Sequence, residues 1–253
     1  MALHTLSPLD GRYASETAPL REFFSEFAYL RTRVRLELDY LSSLSTTGLI
    51  PAEAVSSLKV EHQSFSEEDA RQIQHYEKTT RHDVKAIEYY LRDRTPPELH
   101  PWIHFGLTSE DVNNVAQALA LKDSRDQVLL PALDKLIATL SGFAKTYRAL
   151  PLLARTHGQP AVPTTLGKEV AVYIARLDKC RAELASHRFE AKLTGAVGNF
   201  NALQIAAPQL DWMAFSRQFI ESLGLQPNLV TTQNLPNDNW LRYFDCLRLT
   251  NSI

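Results

Sequence analysis

Three short polar segments, each beside a predicted helix, carry the side chains of this sequence that are best suited to chemistry. They are residues 80–83, 107–111 and 154–160. Connections between helices often hold binding and catalytic residues, because the helices provide a rigid scaffold beneath them. A helix start also offers free N–H groups and a positive dipole end, and both favour an anion.

The first segment places a cation, an imidazole and a carboxylate in a row before a helix start. These groups belong to Arg81, His82 and Asp83, and together they suit the binding of an anionic substrate. An ordinary helix cap is the alternative, with Asp83 as the capping residue and the other two side chains in solvent.

The second segment has the adjacent hydroxyls of Thr108 and Ser109 at another predicted helix start. Together with backbone N–H groups, these hydroxyls could bind a carboxylate or a phosphate. Capping by Thr108, with Glu110 and Asp111 in an acidic first turn, explains the same residues without a ligand. Both interpretations stay open on this segment alone.

The third segment contains His157 between Thr156 and Gly158, bracketed by Pro151 and Pro160. The prolines and the glycine predict a constrained, non-helical loop that fixes the direction of the imidazole. Histidine transfers protons near neutral pH. His157 is therefore a candidate proton donor or acceptor, and an ordinary surface histidine is the alternative.

Other arrangements of reactive residues do not indicate a site. The sequence has no H-E-x-x-H, no phosphate-binding G-x-x-x-x-G-K-[ST] and no G-x-S-x-G. His100 and His104 are predicted to lie in a packed turn rather than to bind a metal. Residues 195–199 have no strand before them, so they predict a tight backbone passage instead of a dinucleotide site. We predict no metal and no cofactor.

Apolar residues at helical spacing predict the elements that position these segments. The chain has nine glycines in 253 residues, about half the usual ~7%, which favours long helices over hairpins. No alternating strand pattern stands out. The predicted helices cover residues 18–46, 66–77 (with Ser66 as the N-cap), 83 to the break at 95–97, 109–147 (kinked at Pro131), 165–193, 211–223 and 238–253.

These helices predict an all-α fold with two domains. Residues 1–106 would form a small N-terminal helical domain, and residues 107–253 the first part of a long central helical bundle. The last predicted helix has no glycine, proline or polar tail after it. The bundle is therefore predicted to be truncated at Ile253.

The composition excludes several classes of protein. The net charge of −2 argues against nucleic-acid binding and against a polybasic membrane surface. No apolar run reaches the ~18 residues that span a bilayer, and no signal peptide is evident. Cys180 and Cys246 lack Cys-x-x-Cys spacing, which fits a reducing cytoplasm without structural zinc.

In their order along the chain, six segments resemble the bacterial-type adenylosuccinate lyases, a family of the fumarase/aspartase superfamily. Each segment is a modest signal, but the ordered set covers nearly the whole chain. The segments are 7–13 (SPLDGRY), 79–85 (TTRHDVK), 108–111 (TSED), 155–160 (RTHGQP), 195–199 (GAVGN) and 231–233 (TTQ).

The resemblance implies a β-elimination that releases fumarate from adenylosuccinate, leaving AMP, and from the succinylated aminoimidazole carboxamide ribotide of purine biosynthesis. It implies a homotetrameric, cytoplasmic enzyme that needs no cofactor. The resemblance implies that His157, with Thr156 beside it, is the general acid, and that Thr108 and Ser109 bind a carboxylate of the succinyl arm. It implies that Arg12 and Tyr13 contact the ribose phosphate. Substrate binding is implied for Arg81, His82 and Asp83, and for Gln233 from a neighbouring subunit.

Two departures from the family pattern matter. Leu235 and Asn237 stand where bacterial relatives usually carry an acidic residue and a histidine. The family's mobile loop, whose serine is the catalytic base, is absent and would follow residue 253. We therefore expect this chain to be inactive alone.

Two other functions stay open. A non-catalytic helical scaffold would have no use for Thr108, Ser109, His157 and Gln233 together. A lyase of the superfamily acting on another succinyl substrate, such as argininosuccinate, is disfavoured by Arg12 and Tyr13 and the phosphate contact they imply.

Overall fold

The computed structural model describes residues 5–56 and 65–253, and helices dominate in them. The helices are α1 (Arg21–Phe24), α2 (Glu26–Ser45), α3 (Ala52–Ser56), α4 (Glu67–Thr80), α5 (Asp83–Arg92), α6 (Ser109–Ser124), α7 (Leu130–Thr146), α8 (Leu166–Ser186), α9 (Asn201–Ala206), α10 (Trp212–Ser222) and α11 (Asp238–Asn251). Short 3₁₀ helices span Ala18–Leu20 and Pro97–Trp102, and a π-helical turn spans Arg125–Leu129.

Four short strands complete the described secondary structure. They are β1 (Pro151–Thr156), β2 (Gln159–Thr165), β3 (Glu190–Ala191) and β4 (Gln226–Pro227). Strands β1 and β2 form an antiparallel hairpin, and β3 pairs in parallel with β4. The predicted, mainly helical fold class is confirmed.

The chain divides into two compact units. The first unit comprises Met1–Leu121 and Phe189–Pro236, and the second comprises Lys122–Arg188 and Asn237–Ile253. The predicted division into domains 1–106 and 107–253 stays a prediction. None of the described helices is both long and apolar enough to cross a membrane.

Helix α2 lies at the centre of the first unit. Tyr40 is almost completely buried and meets the rings of Phe215 and Phe219 edge-on, with centroids 5.8 and 5.9 Å away. Its hydroxyl donates to the carbonyl of Phe105 at 2.7 Å, which satisfies the polar end of a buried aromatic residue. This contact holds α10 and the segment before α6 against α2.

Local signals explain where several helices begin. Ser66 caps α4 as predicted, because its hydroxyl accepts the N–H of Asp69 while the Asp69 carboxylate accepts the N–H of Ser66. The helix predicted for 18–46 is instead interrupted at Ser25, whose hydroxyl accepts the N–H of Ala28 at 3.1 Å and starts α2. A serine within a helical pattern can thus start a new helix.

Residues 100–104 form the packed turn that the sequence predicts. His100 Nε2 lies 3.1 Å from the carbonyl oxygen of Thr95. His104 Nδ1 lies 2.6 Å from Glu37 Oε1, and Glu37 is completely buried. Burial opposes the charged form of His104, but the charge and hydrogen bond of Glu37 outweigh it and raise the pKa of His104 above its usual 6.5.

In the second unit, α7 and α8 pack closely and α11 packs against α8. A Cβ atom at Gly167 would lie 2.3 Å from the carbonyl oxygen of Ala144, so α8 approaches α7 too closely for any other residue. The kink at Pro131 stays a prediction. The residues just before it, Arg125–Leu129, form a π-helical turn, and a proline supplies no N–H to continue an α-helical pattern.

The predictions failed at two places where strands form. The helix predicted for 165–193 ends at Ser186, and an extended segment follows in which Phe189, Ala191 and Leu193 are buried. The hairpin β1–β2 was not predicted as strands, because both of its faces are largely exposed. A strand without a buried face shows no apolar alternation.

Candidate functional site

His82, and not Asp83 as predicted, is the N-cap of α5. Its Nδ1 accepts the backbone N–H of Lys85 at 3.2 Å. A ring nitrogen that accepts a hydrogen bond carries no proton, so neutral His82 has its proton on Nε2. The imidazole direction is therefore set by the start of α5.

The other ring nitrogen of His82 joins two of the three candidate segments. Its Nε2 lies 3.3 Å from Ser109 Oγ, at the start of α6. With the proton on Nε2, His82 donates to Ser109 and does not act as a base toward it. The arrangement therefore differs from an activated serine nucleophile, whose histidine must accept the hydroxyl proton.

Asp83 is held by a cation that the sequence did not single out. Its Oδ2 lies 2.6 Å from Nη2 of Arg33, a largely buried residue of α2. The Arg33 guanidinium lies 3.7 Å from the centre of the Tyr29 ring, so a cation–π contact also fixes it. Arg81 is exposed and ends α4 in the left-handed conformation, with φ at 49°.

The helix start at Thr108 is capped from within α6. Asp111, the third residue of the helix, accepts the backbone N–H of Thr108 at 2.9 Å through Oδ2. Glu110 and Asp111 both lie in the first turn of α6, as the sequence predicts. Both candidate hydroxyls are half-buried, and among the described contacts that of Ser109 is occupied by His82.

His157 lies at the tip of the hairpin β1–β2, in the second unit. Thr156 pairs with Gln159, so His157 and Gly158 are the two turn residues, with φ of 53° and 76°. Two positive φ values are the mark of the type I′ turn that suits a hairpin. The imidazole is exposed, and its Nδ1 lies 2.8 Å from Thr156 Oγ1. The predicted non-helical loop is confirmed.

The remaining candidates are exposed residues of the first unit. Arg12 and Tyr13 lie in a series of turns, with the Arg12 guanidinium carbon 5.7 Å from the centre of the Tyr13 ring. Gln233 lies in an irregular segment between β4 and α11. Leu235, one of the two departures from the family pattern, is 5% exposed and belongs to the core.

A buried polar network that sequence reasoning missed lies beneath the start of α6. Asp111 and Lys192 are both fully buried, and Lys192 Nζ lies 3.0 Å from Asp111 Oδ1. The same carboxylate accepts the backbone N–H groups of Thr194 at 3.0 Å and of Gly195 at 3.1 Å. Lys192 falls in a stretch predicted as helix, and nothing in that pattern marks it as buried.

The network reaches a third segment of the first unit. The hydroxyls of Thr194 and Thr231 lie 2.7 Å apart. Gly198, with φ at 82°, lies so close to Thr231 that a Cβ atom would be 2.0 Å from its carbonyl oxygen. The predicted tight passage at 195–199 is thus confirmed. Asp111 thus links Thr108 to Thr194, and Thr194 and Gly198 contact Thr231.

The first unit therefore combines the hydroxyls of Thr108 and Ser109 and the imidazole of His82 near the start of α6, where an anion is favoured. Within residues 5–56 and 65–253, no group of three or more His, Cys, Asp or Glu side chains could hold a metal ion. The geometry is suited to binding a small anion through hydrogen bonds.

Comparison with known proteins identifies close relatives along the whole chain. Adenylosuccinate lyase of Escherichia coli strain K12 is 44% identical over 263 aligned residues, which cover 100% of this chain and 58% of that protein. Adenylosuccinate lyase of Haemophilus influenzae is 43% identical over an alignment that covers 99% of this chain and 58% of that protein. The chain thus spans little more than half the length of these relatives.

Solved structures share the fold. Fumarate lyase from Mesorhizobium sp. BNC1 superposes with a TM-score of 0.79 at 20% identity, covering 93% of this chain and 54% of that one. The β-carboxy-cis,cis-muconate cycloisomerase of Acinetobacter calcoaceticus gives 0.75 at 21% identity, covering 92% and 54%. At 20% and 21% identity, these matches show that this chain shares the fold, and they carry no conclusion about function.

A family model described as lyase matches residues 11–253. This match and the whole-chain similarity confirm the resemblance that the ordered motifs indicate. The chain belongs to this lyase family, within the fumarase/aspartase superfamily.

Proposed function

We propose that this chain is part of an adenylosuccinate lyase of purine biosynthesis. The reaction is the β-elimination of fumarate from adenylosuccinate, leaving AMP, and from the succinylated aminoimidazole carboxamide ribotide. The 44% sequence identity to an adenylosuccinate lyase over the full chain carries this proposal. We further propose that the complete enzyme is a cytoplasmic homotetramer that needs no cofactor.

The elimination needs a base, an acid and a site for developing negative charge. The base removes a proton from the carbon next to a carboxylate, the charge spreads into that carboxylate, and the C–N bond then breaks as the acid protonates the departing nitrogen. Donors that are already in place stabilise the charge without reorganising. Residues 1–253 would supply the acid and the carboxylate site, and the base would lie outside them.

His157 is the proposed acid. A two-residue turn with positive φ at both positions limits the backbone at this tip, and the Thr156 hydroxyl at 2.8 Å limits the ring. An imidazole suits protonation of an amine-like leaving group near neutral pH. Thr156 is the proposed orienting residue for this imidazole.

Thr108 and Ser109 are the proposed carboxylate site, at the start of α6. The N–H groups and the positive dipole end of this 16-residue helix favour an anion there. His82 Nε2 lies 3.3 Å from the Ser109 hydroxyl, so His82 adds a third polar side chain to the carboxylate site. Asp83 and Arg81 are proposed to bind substrate beside it.

The other end of the substrate carries a phosphate. Arg12 and Tyr13 are proposed to contact the ribose phosphate, because a guanidinium pairs with phosphate through two parallel hydrogen bonds. Both side chains are exposed, which leaves them accessible. Gln233, also exposed, is proposed to reach the site of a neighbouring subunit in the tetramer.

Fumarate release from adenylosuccinate tests the proposal. The purified chain should turn over at least about 10²-fold more slowly than a longer protein that includes the downstream loop, because a missing base costs 10²–10⁴-fold. Equal rates would contradict the division of roles. A longer protein that splits argininosuccinate but not adenylosuccinate would contradict the assigned substrate.

A further inference from the structure

We propose that Asp111 and Lys192 are positioning residues for the carboxylate site at the start of α6. The proposal rests on the proposed function, in which Thr108 and Ser109 hold a carboxylate. The buried pair would lock this helix start to the 192–195 segment, so that both hydroxyls are already placed when the ligand arrives. Neither residue would touch the ligand.

The Asp111 carboxylate is where the two segments are joined. Its Oδ2 accepts the N–H of Thr108 at 2.9 Å, and its Oδ1 accepts the N–H of Thr194 at 3.0 Å. The N–H of Gly195 lies 3.3 Å from Oδ1 and 3.1 Å from Oδ2. One side chain thus satisfies three backbone groups, two of which are more than 80 residues away in sequence.

Lys192 completes the junction from the other side. Its ammonium group lies 3.0 Å from Asp111 Oδ1 and donates to the carbonyl of Gly195 at 3.0 Å. Asn114 holds the backbone of Lys192 in both directions, accepting its N–H at 2.8 Å and donating to its carbonyl at 3.1 Å. Lys192 is therefore held both at its backbone and at its ammonium group.

Helix capping alone does not account for this arrangement. Asp69 occupies the equivalent third position of α4, where it accepts the N–H of Ser66 at 2.7 Å and pairs with Arg94. That pair keeps contact with solvent, since the Arg94 side chain is 30% exposed. Burying an ammonium completely is costly unless it is paired and hydrogen-bonded, and capping does not require it.

Rigidity at this junction bears on affinity. A site whose donors are already ordered loses less conformational entropy when a ligand binds. Because the Thr108 N–H is held by Asp111, fraying of the first turn of α6 breaks a hydrogen bond to one member of the buried pair. The hydroxyls of Thr108 and Ser109 would share that restraint.

Fumarate titration of the ¹⁵N-labelled chain, observed by NMR, tests the proposal. The double variant D111N/K192M removes both charges and so leaves no unpaired buried charge. We expect it to remain folded but to bind fumarate roughly tenfold more weakly, as is typical when a supporting residue is lost. The matched control D69N/R94M makes the same change at α4 and should stay within about twofold of the wild type.

Hydrogen exchange of the wild-type chain gives a readout that needs no variant. The amides of Thr108, Thr194 and Gly195 should exchange at similar rates, and more slowly than the amide of Ser66, because all three donate to the one carboxylate that Lys192 holds in a buried position. Independent or fast exchange of these three amides would overturn the proposal, even if the double variant failed to fold.

The outcomes separate this inference from the proposed function. If the wild type shows no fumarate response at Thr108 or Ser109, the carboxylate site is refuted, and the inference falls with it. If the wild type responds and D111N/K192M binds equally well, the inference alone is overturned. An equal loss in D69N/R94M would also overturn it, because the effect would then reflect general stability.

Discussion

The substitution Gly198→Ala should lower the free energy of unfolding of the first unit by about 2–5 kcal/mol. Gly198 has φ at 82°, and a Cβ atom there would lie 2.0 Å from the carbonyl oxygen and 2.7 Å from the carbonyl carbon of Thr231. Left-handed backbone costs an L-residue roughly 1–2 kcal/mol, and overpacking adds about 1–3 kcal/mol. The obstacle is backbone, so no side-chain rotation relieves it.

Gly48 provides a matched control in the same unit. Its φ is 80°, but a Cβ atom would meet nothing within 4 Å. Gly48→Ala should therefore show only the backbone cost of about 1–2 kcal/mol. The difference between the two variants isolates the contact between the 195–199 passage and Thr231.

Urea unfolding followed by amide signals of the first unit measures both effects, since those signals exclude the second unit. Each free energy of unfolding comes from a linear extrapolation, and a lower midpoint at constant slope reports lost stability. Equal losses in the two variants would refute the reasoning. Such a result would mean that residue 231 moves aside without cost.

Three further perturbations have defined outcomes. Asp111→Asn alone leaves Lys192 buried without a charged partner and should lower the free energy of unfolding in urea by about 3–5 kcal/mol. Adding Lys192→Met should recover part of this stability, and no recovery would argue against a charge effect. Because the pKa of His104 is raised above 6.5, its stabilising contribution is fully present below pH 6.5 and is lost as the pH rises through the folded-state pKa. Unfolding at pH 6 and pH 9 should show this loss, and a Glu37→Gln chain that keeps it would contradict the assignment to that pair. In a longer, active protein, His157→Ala should lower kcat far more than it raises KM, and a change in KM alone would remove His157 from the acid role.

Local sequence signals predicted much of the helical framework. Ser66 followed by acidic residues indicated the start of α4, and the capping box is present there. The prolines and glycine around His157 indicated a non-helical segment, which is the hairpin tip. Both predictions worked because the contacts that decide them join residues within a few positions of one another.

Strand pairing escaped the same reasoning. Residues 190–191 pair with 226–227, and no local pattern points to a partner that far along the chain. The hairpin β1–β2 has little buried surface, so it lacks the alternation by which strands are recognised. The register of its strands depends on the two-residue turn at His157 and Gly158, and the positive φ angles of that turn are seen only in the structure.

The sequence alone determined the family and indicated the residues of the candidate site, because ordered motifs and helix starts are local features that can be recognised without a structure. Only the tertiary structure decided how those residues are held. It showed His82 as a cap that reaches Ser109, Arg33 as the partner of Asp83, and Lys192 as a buried partner of Asp111. A lysine is expected in solvent unless an opposite charge is buried beside it, and that charge lies 81 positions earlier in the chain.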